Sequence, residues 1–116
     1  MIVTVKLGLA VICFTGQCFP ALVGEATPVG SYTLQQRYVA SPGYGGDVLA
    51  FKETERSIYA IHRVWTLRPE QRRLERLASP DPVQRQTITN GCINVAPEVY
   101  AKLVDCCADA ELQIQP

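Results

Sequence analysis

Histidine is nearly absent from this chain: His62 is the only one in 116 residues. Chemistry that needs a side-chain base titrating near neutrality therefore has one imidazole to draw on. A mixed Cys/His metal site is short of donors for the same reason, and no C-x-x-C pair occurs among the cysteines at 13, 18, 92, 106 and 107, so neither a metal nor a cofactor is expected. Charge of one sign is lacking too. Eleven basic residues balance eleven acidic ones, and no global field draws the chain to nucleic acid or an anionic membrane. No apolar run approaches the roughly 20 residues that cross a bilayer, so stable membrane insertion is not expected. Solenoid-period repeats and low-complexity tracts are absent as well.

What is present is a globular composition, 47% apolar and 19% charged, in a length that supports one core. The expectation is a single domain over 1–116, acting as a monomer. Met1 to Phe14 carries Lys6 and then the apolar run Leu7 to Phe14. This matches a secretory leader weakly, because strand-like alternation precedes the lysine and no small-x-small site follows. An odd number of cysteines leaves at least one thiol free. Cys13 and Cys18 can be bridged if they face each other across a hairpin; otherwise Cys13, Cys18, Cys106 and Cys107 are expected as small buried hydrophobes.

Glycines at 8, 16 and 24 punctuate β-forming stretches at Ile2 to Leu7, Leu9 to Phe14 and Cys18 to Val23, which read as a meander. A Pro/Gly turn in Ala26 to Leu34 leads into an alternating strand. Residues 41 to 47 are a loop, and two further strands, Val48 to Lys52 and Ser57 to Ile61, flank the charged turn 53–56 and bring His62 to a strand end. Pro69 to Ala78 has Leu74 and Leu77 at helical spacing and ends at Ser79-Pro80. Gln86 to Thr89 reads as a strand, and a second helix from Pro97 sets Val99, Tyr100, Leu103 and Val104 on one stripe. The fold class expected is mostly β with two short α-helices.

Cys92 lies after Gly91, in Thr89-Asn90-Gly91-Cys92-Ile93-Asn94. A thiol attacks as the thiolate, so a nearby imidazole matters, and His62 is the sole candidate. Glycine permits a tight turn whose N–H groups, at Gly91, Cys92 and Asn90, can converge as an oxyanion hole, while the Asn94 side chain is placed to fix that turn. A buried structural cysteine is the competing reading of the same residue types.

These residues also carry a resemblance. Thr27-Pro28-Val29-Gly30-Ser31-Tyr32-Thr33 resembles the T-P-x-G-x-[FY]-x segment of YkuD-type L,D-transpeptidases, Tyr59-Ala60-Ile61-His62 resembles their strand ending in the catalytic histidine, and Thr89 to Asn94 matches their [ST]-x-G-C-[hydrophobic]-[NR] signature. The resemblance implies a YkuD-like β-sandwich or barrel and a cysteine-dependent acyl transfer on peptidoglycan stem peptides. Cys92 takes the acyl group of a tetrapeptide with release of terminal D-alanine, and a diamino-acid amine resolves the thioester as a 3-3 cross-link. His62 is the implied base, oriented by the carbonyl of Arg63, with Thr89, Tyr59 and Asn94 as orienting or substrate-binding residues. It also implies a site of action in the periplasm or cell envelope, or beyond it for a secreted wall-targeting toxin.

Three departures matter. Arg63 replaces a common glycine and is expected to make the wall beside the base bulky and positive. Asn90 replaces a second histidine. The stretch between His62 and Cys92 is long and carries Arg68, Arg72, Arg73 and Arg76, either a solvated helix face or a lid that offers guanidinium groups to stem carboxylates. Water in place of the amine would give an L,D-carboxypeptidase or endopeptidase, and a dead site would leave a wall-binding domain.

Overall fold

The alternation in the first quarter builds an antiparallel meander, β1 (Ile2–Lys6), β2 (Val11–Phe14) and β3 (Gln17–Pro20), in a computed structural model that describes residues 1–116. Thr15 and Gly16 turn β2 into β3 with φ of 49° and 81°, the left-handed conformation that matches strand twist in a two-residue hairpin. The register sets Cys13 opposite Cys18, and the two form a disulfide, as do Cys106 and Cys107. Of these four, only Cys107 is buried and Cys18 is exposed, which corrects the reading of four buried hydrophobes. Facing positions on paired strands bring sulfurs within bonding reach regardless of burial.

A final strand, β9 (Glu111–Gln115), runs parallel to β1 and antiparallel to β4 (Gly30–Thr33), giving a five-stranded sheet in the order β3-β2-β1-β9-β4. The sequence reading has no strand here, although Leu112 and Ile114 alternate with polar neighbours and are buried. The chain changes sheets at Leu34, wholly buried at the corner. It enters β5 (Gln35–Tyr38), an exposed edge strand with no apolar alternation to betray it.

β6 (Asp47–Glu53), β7 (Ile58–Arg63) and β8 (Ile93–Val95) complete a second sheet in the order β5-β6-β7-β8. One cluster of 20 buried residues joins both sheets to the helix α2 (Pro97–Cys107), whose Val99, Tyr100 and Leu103 supply the expected stripe. The expected Pro69–Ala78 helix is broken. A 3-10 turn at Pro69–Gln71 stops at Arg72, whose φ is 53°, and α1 (Arg73–Ala78) starts afresh. Gln86 to Thr89 is not a strand. Ile88 and Thr89 both donate their N–H to the Val23 carbonyl, so this segment has no ladder and is held as irregular backbone. Buried Arg85 donates to the carbonyls of Leu9, Ala10 and Ser79 and anchors its start.

Candidate active site

The parallel pairing of β7 and β8 assembles the site. Its register sets His62 beside Asn94 and Ile61 beside Ile93. Cys92 precedes Asn94 by two residues, and residues two apart on extended backbone face the same side. His62, Cys92, Thr89 and Asn90 line a cleft of about 410 Å³, closed on its other wall by Tyr44, Trp65, Arg68, Gln71 and Arg73.

His62 is 2% exposed. Its Nδ1 lies 2.7 Å from the carbonyl oxygen of Arg63; a carbonyl only accepts, so Nδ1 carries the proton and Nε2 the lone pair. The side chain of Asn94, wholly buried, has its Nδ2 3.4 Å from Nε2. Its Oδ1 accepts from the Trp65 N–H at 3.0 Å and from Arg73 Nη1 at 2.9 Å. Those two donors fix which end of the amide faces the imidazole. Asn94 therefore does not pin the Cys92 turn, as the sequence reading expects; it ties the base to α1. Burial drives the His62 pKa from 6.5 to about 4, against the raising effect of the Arg63 carbonyl and with help from the Arg73 charge. At neutral pH the ring is uncharged.

Cys92 is the one cysteine outside a disulfide. Burial pushes its thiol pKa up, against the lowering effects of the Ala60 backbone and the Arg73 cation. Its Sγ donates to the carbonyl of Ile58 at 3.6 Å. Thiol and imidazole thus face one cleft, each with another hydrogen-bond partner.

Thr89 pins the turn. Its hydroxyl donates to the Cys92 carbonyl at 2.6 Å and accepts from the Gly91 N–H at 3.2 Å. The Gly91 N–H is thereby spent on the turn, which corrects its assignment to an oxyanion hole. The N–H groups of Asn90 and Cys92 make no hydrogen bond within the chain. Gly91 has φ +123°, and a Cβ there would lie 2.4 Å from Cε1 of Tyr59. Tyr59 acts as the floor under the turn and does not line the cleft. Gly24 is equally tight, since a Cβ would meet the Thr89 carbonyl oxygen at 2.0 Å. The Gly24 N–H donates to Thr27 Oγ1 at 3.0 Å, so the Thr27-Pro28 segment forms the bed of the Cys92 turn.

Arg63 overturns the expectation of a positive wall beside the base. Its guanidinium pairs with Asp47 at 2.9 Å, lies over the Tyr100 ring at 4.3 Å, and donates to the carbonyls of Tyr44 and Gly45. The attraction of a half-buried carboxylate and an aromatic face outweighs solvation in the cleft. What it does hold is the glycine-rich loop, which sets the Tyr44 ring edge-on to His62 at 4.7 Å between centroids. Tyr44, Trp65 and Gln71 are cleft residues that the sequence reading missed. An aromatic set among Gly43, Gly45 and Gly46 was the available signal for Tyr44. Among the arginines between the two site residues, Arg68 and Arg73 line the cleft; Arg72 pairs with Glu75 on the surface and Arg76 bonds the Gln71 carbonyl and Gln84.

No protein-family model and no curated protein matches this sequence. Solved structures do match in shape. An L,D-transpeptidase from Xylanimonas cellulosilytica, resolved over its residues 123–326, superposes with a TM-score of 0.60 at 16% identity, covering 97% of this chain and 59% of that one. An L,D-transpeptidase from Mycobacterium smegmatis gives 0.60 and 16% over 99% of this chain and 58% of its own. The helical cell shape determining protein Pgp2 from Campylobacter jejuni gives 0.56 and 16% over 97% and 46%. The fold is therefore that of the L,D-transpeptidase structures. The chain spans just under three fifths of the first two and less than half of the third.

Proposed function

We propose that this chain is a cysteine-dependent L,D-transpeptidase domain acting on peptidoglycan stems, with Cys92 as nucleophile and His62 as base. The observation that carries the reading is one cleft lined by both a free thiol and an imidazole whose Nδ1 proton is held by a carbonyl, in a chain with the transpeptidase fold. In this reading the Cys92 side chain leaves the Ile58 carbonyl and the thiol displaces the Asn94 amide from Nε2. The thiol proton passes to Nε2 as sulfur attacks the carbonyl between the third residue and the terminal D-alanine. The tetrahedral oxyanion is received by the Cys92 N–H, assisted by that of Asn90. Collapse of that intermediate expels D-alanine, which takes the proton back from Nε2. An amine of a second stem then attacks the thioester, with His62 again as base. Two disulfides favour an oxidising compartment, in keeping with action in the periplasm or at the cell envelope.

The test is incubation with a purified disaccharide-tetrapeptide. Free D-alanine and a mass increase on Cys92 equal to the disaccharide-tripeptide acyl group are expected, both lost in Cys92→Ala and slowed about 100-fold or more in His62→Ala. A 3-3 linked dimer as product marks amine transfer, and a free tripeptide marks hydrolysis. Neither adduct nor D-alanine release from the wild-type chain would refute the enzyme reading.

A further inference from the structure

The cleft holds an unbalanced charge. Arg68 and Arg73 line it, no aspartate or glutamate does, and the protein as a whole is neutral. Of the six other arginines three pair with carboxylates, Arg37 with Glu53, Arg63 with Asp47 and Arg72 with Glu75, and buried Arg85 is satisfied by three carbonyls. Arg68 and Arg73 have no carboxylate partner. Arg73 donates from Nε to Gln71 at 2.8 Å and from Nη1 to Asn94 at 2.9 Å, and stacks over Trp65 at 5.2 Å, an orientation set by neutral groups that leaves Nη2 without a partner. A partly desolvated guanidinium held rigid without a counter-charge is destabilising to the empty protein, and a carboxylate presented to it recovers that cost. His62, neutral at pH 7, cannot serve as the anion's partner.

We infer that Arg68 and Arg73 form a carboxylate-binding subsite beside Cys92, which selects acidic peptides carrying a free carboxylate next to the scissile amide. This deepens the transpeptidase reading and rests on it for the identity of the peptide. On such a stem the carboxylate has two sources, the C-terminus of the leaving residue and the side-chain carboxyl of the diamino acid. The helix segment between His62 and Cys92 is then a specificity element and not a solvated face.

Charge in the cleft can be read without turnover. Cys92 is the single free thiol of the oxidised protein, so its alkylation by anionic iodoacetate and by neutral iodoacetamide reports the local field. The ratio of the two rates is expected to fall by about threefold or more in Arg68→Gln and in Arg73→Gln, and to be kept in Arg68→Lys and in the surface control Arg76→Gln. The Arg68 side chain makes no hydrogen bond within the chain, so its replacement removes charge and little else. A ratio in Arg68→Gln within about twofold of wild type overturns the subsite. In the second arm, the free tetrapeptide is compared with its C-terminal amide and with a stem amidated on the diamino acid. The derivative that loses the wild-type preference, with KM rising and kcat held, names the carboxylate that is read. Equal KM for all three overturns the selection. D-alanine release with an unmoved ratio refutes the subsite alone; a moved ratio with no release refutes the transpeptidase reading alone.

Discussion

At His62, burial and a carbonyl pull in opposite directions, and burial wins, leaving the ring with a pKa of about 4. Cys92 is displaced the other way, its thiol held protonated by burial more than Arg73 and the Ala60 backbone release it. The resting pair is therefore a neutral thiol and a neutral imidazole, unlike cysteine sites that rest as a thiolate-imidazolium pair. In the proposed reaction, deprotonation must accompany attack. Alkylation of Cys92 by iodoacetamide is accordingly expected to keep accelerating with pH past about 8.5, the ordinary thiol value. A plateau between pH 6 and 8 would mean that a thiolate is already present. The sequence put forward His62 and Cys92 as one candidate pair, and both side chains line the same cleft. It did not reveal Asn94 as the link between His62 Nε2, Trp65 and Arg73, because a buried amide looks the same in sequence whichever of its neighbours it bonds.

The Cys92 turn is an element whose geometry is set by what it touches. Gly91 combines φ +123° with the Tyr59 ring at its α-carbon, so Gly91→Ala incurs both backbone strain and a clash. A loss of about 2–4 kcal/mol in urea denaturation is expected, and adding Tyr59→Ala should return the steric part and not the strain. A single-variant loss below about 1 kcal/mol would show that the turn relaxes freely. Glycine before the thiol was legible as a tight turn. That Thr89 Oγ1 takes the Gly91 N–H, which removes it from any oxyanion hole, was not, since threonine hydroxyls bond locally in several ways. α1 presents the same limit: its apolar spacing gave a helix, but the left-handed Arg72 that resets its phase turns Arg73 to the cleft and leaves Arg72 and Arg76 outside.

Across the whole molecule, the buried imidazole couples the site to stability. Between pH 6.5 and about 4 the unfolded chain binds a proton at His62 that the folded chain does not. Folded stability is then independent of this group above 6.5, falls as pH drops through the window, and loses about 3 kcal/mol in all. Asp47 acts in a lower range. Its burial alone would raise its pKa, but hydrogen bonds from Gln36, Tyr100 and Arg63 outweigh that and lower it, so its contribution is lost only as pH falls further. Denaturation of the wild type at pH 7 and pH 4.5 should show the His62 loss, and His62→Gln should remove most of it. Equal pH slopes in the two proteins would mean that the folded imidazole titrates normally.

Local pattern by itself determined that the chain is mostly β with two short helices, that Cys92 sits on a glycine turn, and that His62 is the one imidazole that can serve it. Alternation and helical spacing report which face of a segment is buried, and they do so within a few residues. Tertiary structure alone decided that β8 runs parallel to β7, that β9 inserts between β1 and β4, and that Arg63 turns to Asp47 while Arg73 turns to the cleft. Those outcomes depend on which of several distant partners satisfies a backbone ladder or a guanidinium best. Competition between partners far apart in sequence leaves no local signature.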